Sequence, residues 1–244
     1  MESPSIPHLD YYGACRPCGA TSGDFFEFIP LDGRRLLAAI GQTAGPGVSS
    51  VTMMAAVKAH FRGIVSGGPD ALAAAASRLN RALCDVASDG SLTTLFCACL
   101  DPLRRVLRYL SAGHESALLF RANHLHVHRL EPTGTVLGLT SRTVYRQRTV
   151  ALHPGDLLIA FTGGVADAVD RAGCVVGETE VIEALRESPG DPPPVLVDRI
   201  LDAVERFGNG TGQAADRTVV AIRFAGSAGS FNERRAAALA FAAA

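Results

Sequence analysis

The sequence of 244 residues has few cysteines, no long apolar run and no excess of either charge. Its 23 basic and 24 acidic residues argue against nucleic acid as the main partner, because phosphate binding needs clustered cations. Six cysteines are too few for a disulfide framework in a chain of this length, so we expect reduced thiols and a cytoplasmic protein. No segment approaches the roughly 20 apolar residues that span a bilayer, and the first residues lack the pattern of a signal peptide. We therefore expect no membrane partner.

Two patterns of metal-ligating residue types are incomplete. Cys15 and Cys18 form a single CxxC pair, and Cys97 and Cys99 would complete a zinc site only if the fold brought them together. We therefore interpret the cysteines as free thiols.

Three histidines alternate along a predicted strand, at positions 124, 126 and 128. Alternation places them on one face, where three imidazoles can hold a transition metal. A solvated histidine face is the simpler interpretation if apolar neighbours bury the opposite face. Those neighbours are Leu125, Val127 and Leu130.

The glycine-rich segment 41–47 lies between a predicted strand and a predicted helix, which is the context of an anion-binding loop. It lacks the Gly-Lys-Ser/Thr ending of a P-loop and the spacing of a dinucleotide-binding motif. The sequence also has no Gly-x-Ser-x-Gly motif for a nucleophilic serine. We expect a tight turn in this segment, and these motifs alone identify no activity.

Short apolar runs bounded by Gly, Pro, Asn and Asp predict mostly strands. The predicted strands are Leu36–Ile40, Thr93–Leu100, Val106–Leu110, Ala117–Arg121, His124–Leu130, Thr143–Leu152, Asp156–Phe161 and Thr218–Phe224. Their short separations favour antiparallel hairpins, with Asn123 in one turn. Helical spacing predicts helices near 50–62, 70–88, 181–186 and 192–207. The pattern indicates an α+β fold over residues 11–224, after an extension (1–10) and before a Gly/Ser-rich, then Ala-rich tail (225–244).

Five segments occur in an order that resembles one known family. They read RPCGATSGDFFEF, IGQTAGPGVSSVTMMA, LDPLRRVLRYLSAGHESALLF, LHPGDLLIAFTGGVADAVDRAG and AADRTVVAIRF. This order is similar to the SpoIIE-type branch of the metal-dependent (PPM) protein serine/threonine phosphatases. The resemblance implies a four-layer α-β-β-α sandwich with mostly antiparallel sheets. It also implies two Mg²⁺ or Mn²⁺ ions at one edge, which would generate a hydroxide for phosphoserine or phosphothreonine hydrolysis.

The same resemblance implies that most of the metal-binding aspartates are missing. Gln42, Gly163 and Ala215 occupy positions where the family has aspartate, whereas Asp24 is retained. Glu27 stands where a second acid of the opening motif is usual, and Asp216 is the surviving companion in the final pair of acids. Two divalent cations held close together need several anionic ligands, so we expect no two-metal centre and no bound cofactor.

Two further residues bear on this expectation. His114, in the SAGH segment, is not a metal ligand in the family pattern, and we expect it to have a structural hydrogen-bonding role. Pro46 replaces the usual His or Lys of the glycine-rich turn, which favours a degenerate site. The alternative is a misalignment, in which acids one or two residues away bind the metal; alternation along strands argues against it.

The first hypothesis from the sequence is therefore a pseudophosphatase in bacterial partner switching and sigma-factor regulation. Its partner would be an anti-sigma-factor antagonist or a kinase-like anti-sigma factor, and the helices at 50–62 and 70–88 would contact it. The second hypothesis is an active Mn²⁺- or Mg²⁺-dependent serine/threonine phosphatase. In that case Asp24, with Glu27 and Asp216, would still hold a metal.

Overall fold

Two five-stranded antiparallel sheets lie at the centre of the computed structural model, which describes residues 5–19, 22–44, 50–61, 71–86, 92–170, 172–175, 177–207 and 215–226. The first sheet contains, in spatial order, β1 (Leu9–Arg16), β10 (Arg217–Phe224), β9 (Leu157–Phe161), β6 (Ala117–Arg121) and β7 (His126–Leu130). The second contains β2 (Asp24–Pro30), β3 (Leu36–Ala44), β4 (Leu92–Asp101), β5 (Val106–Ala112) and β8 (Arg148–Ala151).

Helices cover the outer face of each sheet. α1 (Ser50–Phe61) and α2 (Ala71–Val86) pack on the second sheet. α3 (Gly163–Ala166), α4 (Gly177–Glu187) and α5 (Pro193–Phe207) pack on the first. No helix in the described ranges has the length and hydropathy of a membrane span.

The layers follow from strands that are apolar on both faces. In β3, Leu36 and Ile40 point into the core between the sheets, whereas Leu37 points into the core beneath α1 and α2. In β9, Leu158 lies between the sheets and Ile159 lies beneath α4 and α5. The result is the expected α+β fold, a four-layer α-β-β-α sandwich.

Most predicted elements are present with shifted ends, but the sequence pattern alone missed β1, β2 and α3. β1 begins at Leu9, two residues before the predicted domain boundary, and pairs with β10 along its whole length. The predicted strand Thr143–Leu152 is too long, since only Arg148–Ala151 forms a strand. Residues 45–49, with Pro46, and tail residues 227–244 lie outside the described residues.

Candidate functional site

Asp24 and Gln42 face each other across β2 and β3. They are direct partners in the antiparallel register of these strands. Because side chains alternate along a strand, Asp24 shares a face with Phe26, and Gln42 shares a face with Ile40. Phe26 and Ile40 pack into the core between the sheets. Asp24 and Gln42 therefore lie on the inner face of the second sheet, at one end of the sandwich.

Asp24 links the two sheets through hydroxyl groups. Thr162, directly after β9, donates a hydrogen bond from Oγ1 to Asp24 Oδ2 at 2.6 Å, and Thr218 Oγ1 of β10 donates one to the same oxygen at 2.8 Å. The residue is only 4% exposed, and its Oδ1 is buried without a hydrogen-bond partner in the described part of the chain. Burial raises the pKa of Asp24 to about 6; the charge of Asp216 acts in the same direction, and the two hydroxyl groups oppose it.

Position 163 lies against Gln42. Gly163 begins α3. A Cβ atom added to Gly163 would lie 3.5 Å from Gln42 Oε1 and 3.4 Å from Asp167 Oδ2, which are ordinary contact distances. The place where the family carries an aspartate side chain is therefore beside the Gln42 amide, with the exposed Asp167 carboxylate on its other side.

Position 215 lies close to Gly164, the residue after Gly163. A Cβ atom on Gly164 would lie 1.9 Å from the backbone oxygen of Asp216 and 3.3 Å from the Cβ atom of Ala215. Only glycine allows α3 to approach β10 this closely. We call the place where positions 24, 42, 163 and 215 converge the candidate edge.

Asp216 is held by the loop before β2. Its Oδ1 accepts a hydrogen bond from the Cys18 backbone N–H at 2.7 Å. Its Oδ2 accepts from the Gly23 N–H at 2.7 Å and from Ser22 Oγ at 2.9 Å. Burial alone would raise the pKa of Asp216, but these hydrogen bonds outweigh burial and lower it. This geometry is that of a carboxylate that fixes a loop.

Glu27 lies on the other face of β2 from Asp24, by strand alternation. It shares that face with Phe25 and Ile29, which pack beneath the helices α1 and α2. The structure therefore does not bring Glu27 to the candidate edge.

Comparison with known proteins identifies the family. A profile of the family described as Stage II sporulation protein E (SpoIIE) matches residues 32–225. The chain belongs to the SpoIIE family. The phosphoserine phosphatase RsbU of Bacillus subtilis (strain 168) is 26% identical over 166 residues, which cover 67% of this chain and 48% of RsbU. The chain thus spans about half the length of this relative.

Solved structures share the fold of this SpoIIE-family chain. The crystal structure of the RsbU and RsbW domains of Rv1364c from Mycobacterium tuberculosis has a TM-score of 0.72 at 24% identity, over 91% of this chain and 63% of that one. The SiaA-PP2C domain of Pseudomonas aeruginosa has a TM-score of 0.73 at 20% identity, over 88% of this chain and 85% of that one. At these identities the likeness concerns the fold.

A pair of divalent cations does not fit the side chains at the candidate edge of this SpoIIE-family chain. Asp24 is the one carboxylate among the four positions, and one of its oxygens already accepts two hydrogen bonds. Gln42 offers a neutral oxygen, and Gly163 and Ala215 offer no side-chain donor. Within the described ranges, no group of three or more His, Cys, Asp or Glu side chains is placed to hold a metal ion. The four positions of the family pattern thus supply a single negative charge.

His114 lies next to this edge as a neutral, buried side chain. Its Nδ1 is 3.0 Å from Oγ1 of Thr94, which is the register partner of Gln42. Burial lowers the pKa of His114 to about 4, against the opposing effect of the Phe161 carbonyl. The expected hydrogen-bonding role agrees with this geometry.

The cysteine and histidine patterns are dispersed by the fold. Cys97 and Cys99 are buried beneath α1 and α2, and burial raises the pKa of Cys99 to about 11. Cys15 lies in β1 of the other sheet, and Cys18 is exposed in the loop after it. The two pairs of thiols therefore lie at different sheets.

The histidine strand is shorter than predicted. His124 lies in the turn before β7, and His126 and His128 are exposed. The prediction for Leu125 is wrong, since its side chain is 64% exposed in a turn with a φ of 49°. Leu130 is buried on the same face as His126 and His128, because residues an even number apart share a face.

Sequence reasoning missed Thr162, Thr218 and Asp167. Nothing in a local pattern pairs a threonine after β9 with one in β10, because their common partner, Asp24, lies 138 residues before Thr162. The position of the Asp167 carboxylate beside Gly163 depends on the turn of α3, which no local pattern shows.

Proposed function

We propose that this SpoIIE-family chain is a pseudophosphatase, which acts by binding a protein instead of hydrolysing a phosphoester. One observation carries the proposal: positions 24, 42, 163 and 215 converge at one edge, and Asp24 is the only one of the four that carries a carboxylate. The convergence also argues against a misalignment of the motifs, because it brings Gln42 and Gly163 side by side.

The partner that we propose is a regulator of bacterial partner switching in the cytoplasm. It is a phosphorylated anti-sigma-factor antagonist or a kinase-like anti-sigma factor. The relation to RsbU, named a phosphoserine phosphatase, supports a phosphoserine protein as the ligand. A chain that keeps the fold but not the metal-binding charge would shield such a phosphoprotein from an active phosphatase.

The first test is a calorimetric titration with Mn²⁺, run beside an assay of para-nitrophenyl phosphate hydrolysis. We expect no heat of binding at millimolar Mn²⁺ and no Mn²⁺-dependent hydrolysis. Stoichiometric binding together with hydrolysis that Asp24→Ala abolishes would overturn the pseudophosphatase.

A variant that restores the family's aspartates tests whether their loss explains the absence of Mn²⁺ binding that we expect. The triple variant Gln42→Asp/Gly163→Asp/Ala215→Asp should gain Mn²⁺ binding, because position 163 has room for a side chain next to position 42. The matched control adds Asp24→Asn, and we expect it to cancel the gain. A triple variant that folds by circular dichroism and still binds no Mn²⁺ would mean that the three replacements do not explain the lost site.

An active phosphatase with altered ligands is the second candidate function. The observation that favours it is a set of oxygens at the candidate edge: the unpartnered Asp24 Oδ1, Gln42 Oε1 and Asp167 Oδ2. This candidate predicts slow Mn²⁺-dependent hydrolysis that Asp167→Asn abolishes while circular dichroism is unchanged. The pseudophosphatase predicts no hydrolysis in either protein.

A further inference from the structure

Residues 138–147, which we call the strap, run along α2 with an unusual side-chain composition. The segment from Pro132 to Arg148 contains no acidic residue. Within the strap, Leu139 is 57% and Val144 is 76% exposed, and both lie close in sequence to exposed arginines. These arginines are Arg142 and Arg146; from α2, along which the strap runs, we include the exposed Arg81. Together with Leu139 and Val144 they form what we call the basic-apolar surface.

The strap is held in place by buried polar side chains. Asn80 of α2 is fully buried; its Nδ2 donates to the Thr140 carbonyl at 2.8 Å, and its Oδ1 accepts from the Gly138 N–H at 2.9 Å. The buried Tyr145 hydroxyl donates to the same Oδ1 at 3.2 Å. Gln147 accepts a hydrogen bond from the first turn of α2. A surface ordered before binding loses little conformational entropy when a partner arrives.

The strap is also connected to the candidate edge. Two backbone hydrogen bonds join Leu137, just before the strap, to Thr93 of β4. Thr93 is the register partner of Thr43, the residue after Gln42. A partner on the strap would therefore be anchored beside the candidate edge.

We propose that the basic-apolar surface binds an acidic segment of a partner protein that carries aliphatic side chains. This deepens the proposed function and rests on it for the identity of the partner. Charge complementarity selects an acidic ligand, and exposed Leu139 and Val144 select aliphatic groups. Nucleic acid fits less well, because the strap's one aromatic ring, Tyr145, is buried and cannot stack on bases. The chain's own tail is a poor occupant, since residues 227–244 carry two arginines and a single glutamate.

A second copy of the chain could also occupy the basic-apolar surface, through its helix α4. Four glutamates lie on α4, at positions 178, 180, 183 and 187, with one arginine, Arg186. Glu180 has its pKa raised by burial and then by its neighbours Glu183 and Glu187, the mark of clustered acids. A second copy of the chain is therefore acidic on α4, and self-association through it is an outcome that the test must separate.

The probe is a fluorescein-labelled peptide of glutamates interrupted by leucine and isoleucine. Its binding is measured by fluorescence anisotropy as the full chain is added. We expect saturable binding that Arg142→Glu/Arg146→Glu weakens by about tenfold, because each substitution turns an attraction into a repulsion. Leu139→Ser/Val144→Ser should weaken it as well, with less effect on the salt dependence. The control Arg186→Glu makes the same charge change as either single substitution, at an exposed position of α4, and should leave the affinity unchanged.

Several outcomes would overturn the proposal. One is no peptide binding, or equal binding by wild type and Arg142→Glu/Arg146→Glu. Another is tighter binding of a single-stranded RNA oligonucleotide than of the peptide. A third is sedimentation that shows self-association lost in Arg142→Glu/Arg146→Glu. Because the assay uses neither Mn²⁺ nor hydrolysis, it can fail while the pseudophosphatase stands, and it can succeed in an active phosphatase.

Discussion

The two ends of β9 each meet a buried aspartate, and the two carboxylates are stabilised in different ways. Before the strand, Asp156 is 1% exposed and forms an ion pair with Arg121 at 2.5 Å, helped by the His153 N–H at 2.8 Å. After the strand, Asp24 is nearly as buried, but its hydrogen-bond donors in the described residues are neutral hydroxyl groups. One end carries its own counter-charge, whereas the carboxylate at the other end takes up a proton more readily than usual.

The largest loss of stability is expected when the cation paired with Asp156 is removed. Arg121→Ala would leave Asp156 buried without a cation and should lower the free energy of unfolding by about 3 kcal/mol. The control is Arg104→Ala, whose partner Asp101 lies 3.9 Å away and whose own side chain is 73% exposed. That loss should stay below about 0.5 kcal/mol. Urea unfolding measures both, and equal losses would contradict the contrast between buried and exposed pairs.

The other end should respond to pH. The folded pKa of Asp24, about 6, lies above its ordinary value of 3.8, so the folded state holds the proton more tightly. The resulting stability is present below about pH 4 and is lost as the pH rises to about 6. We expect wild type to lose about 2 kcal/mol across this range that Asp24→Asn does not lose. Urea unfolding at several pH values measures this, and parallel profiles would mean that another group compensates the Asp24 charge.

His114 should give a pH dependence of the opposite sign at the same end. Its folded pKa of about 4 lies below its ordinary value of 6.5. The stability that comes from the neutral imidazole is therefore present above about pH 6.5 and is lost as the pH falls toward 4. Compared with His114→Asn, which keeps an amide near Thr94, wild type should lose roughly 2 kcal/mol on acidification. If both proteins lose stability equally, the imidazole is accessible to water and titrates normally.

The smallest effect is expected at Gly163. Gly163→Ala should change the free energy of unfolding by less than about 0.5 kcal/mol, because the added methyl group makes only ordinary contacts. Gly164→Ala is the contrast, since its methyl group would collide with the Asp216 backbone. Thermal unfolding separates the two. A large loss for Gly163→Ala would mean that glycine is kept there for the fold, which would weaken its interpretation as a lost acid.

The sequence predicted which segments form strands and helices better than it predicted the side-chain contacts that these segments make. Strands such as Ala117–Arg121 were correct because an apolar run bounded by turn residues is a local signal. The segment 143–147 looked like a strand by composition, but it lies along α2, where the Tyr145 hydroxyl donates to Asn80 and the Gln147 side chain accepts a hydrogen bond from the Leu72 N–H. Local patterns cannot show which side chain across the fold will compete for a backbone group.

The same limit applies to the site. Family resemblance placed Asp24, Gln42, Gly163 and Ala215, and the structure brings them together. It also suggested Glu27 as a remaining acid, yet strand alternation turns that side chain to the helices, a consequence that depends on the register of β2.

The hydrogen bonds at the two ends of the sandwich also have a mechanical consequence. At one end Asp24 of the second sheet accepts hydrogen bonds from Thr218 of the first sheet and from Thr162 directly after β9. At the other end Arg121 of the first sheet donates to the Ala151 carbonyl of the second. Apolar side chains between sheets resist separation but have little preference for direction, whereas hydrogen bonds have a defined geometry. Two such links at opposite ends hinder the sheets from sliding or rotating against each other. The spacing of positions 42, 163 and 215 is therefore kept by the protein alone, and it does not need an ion to maintain it.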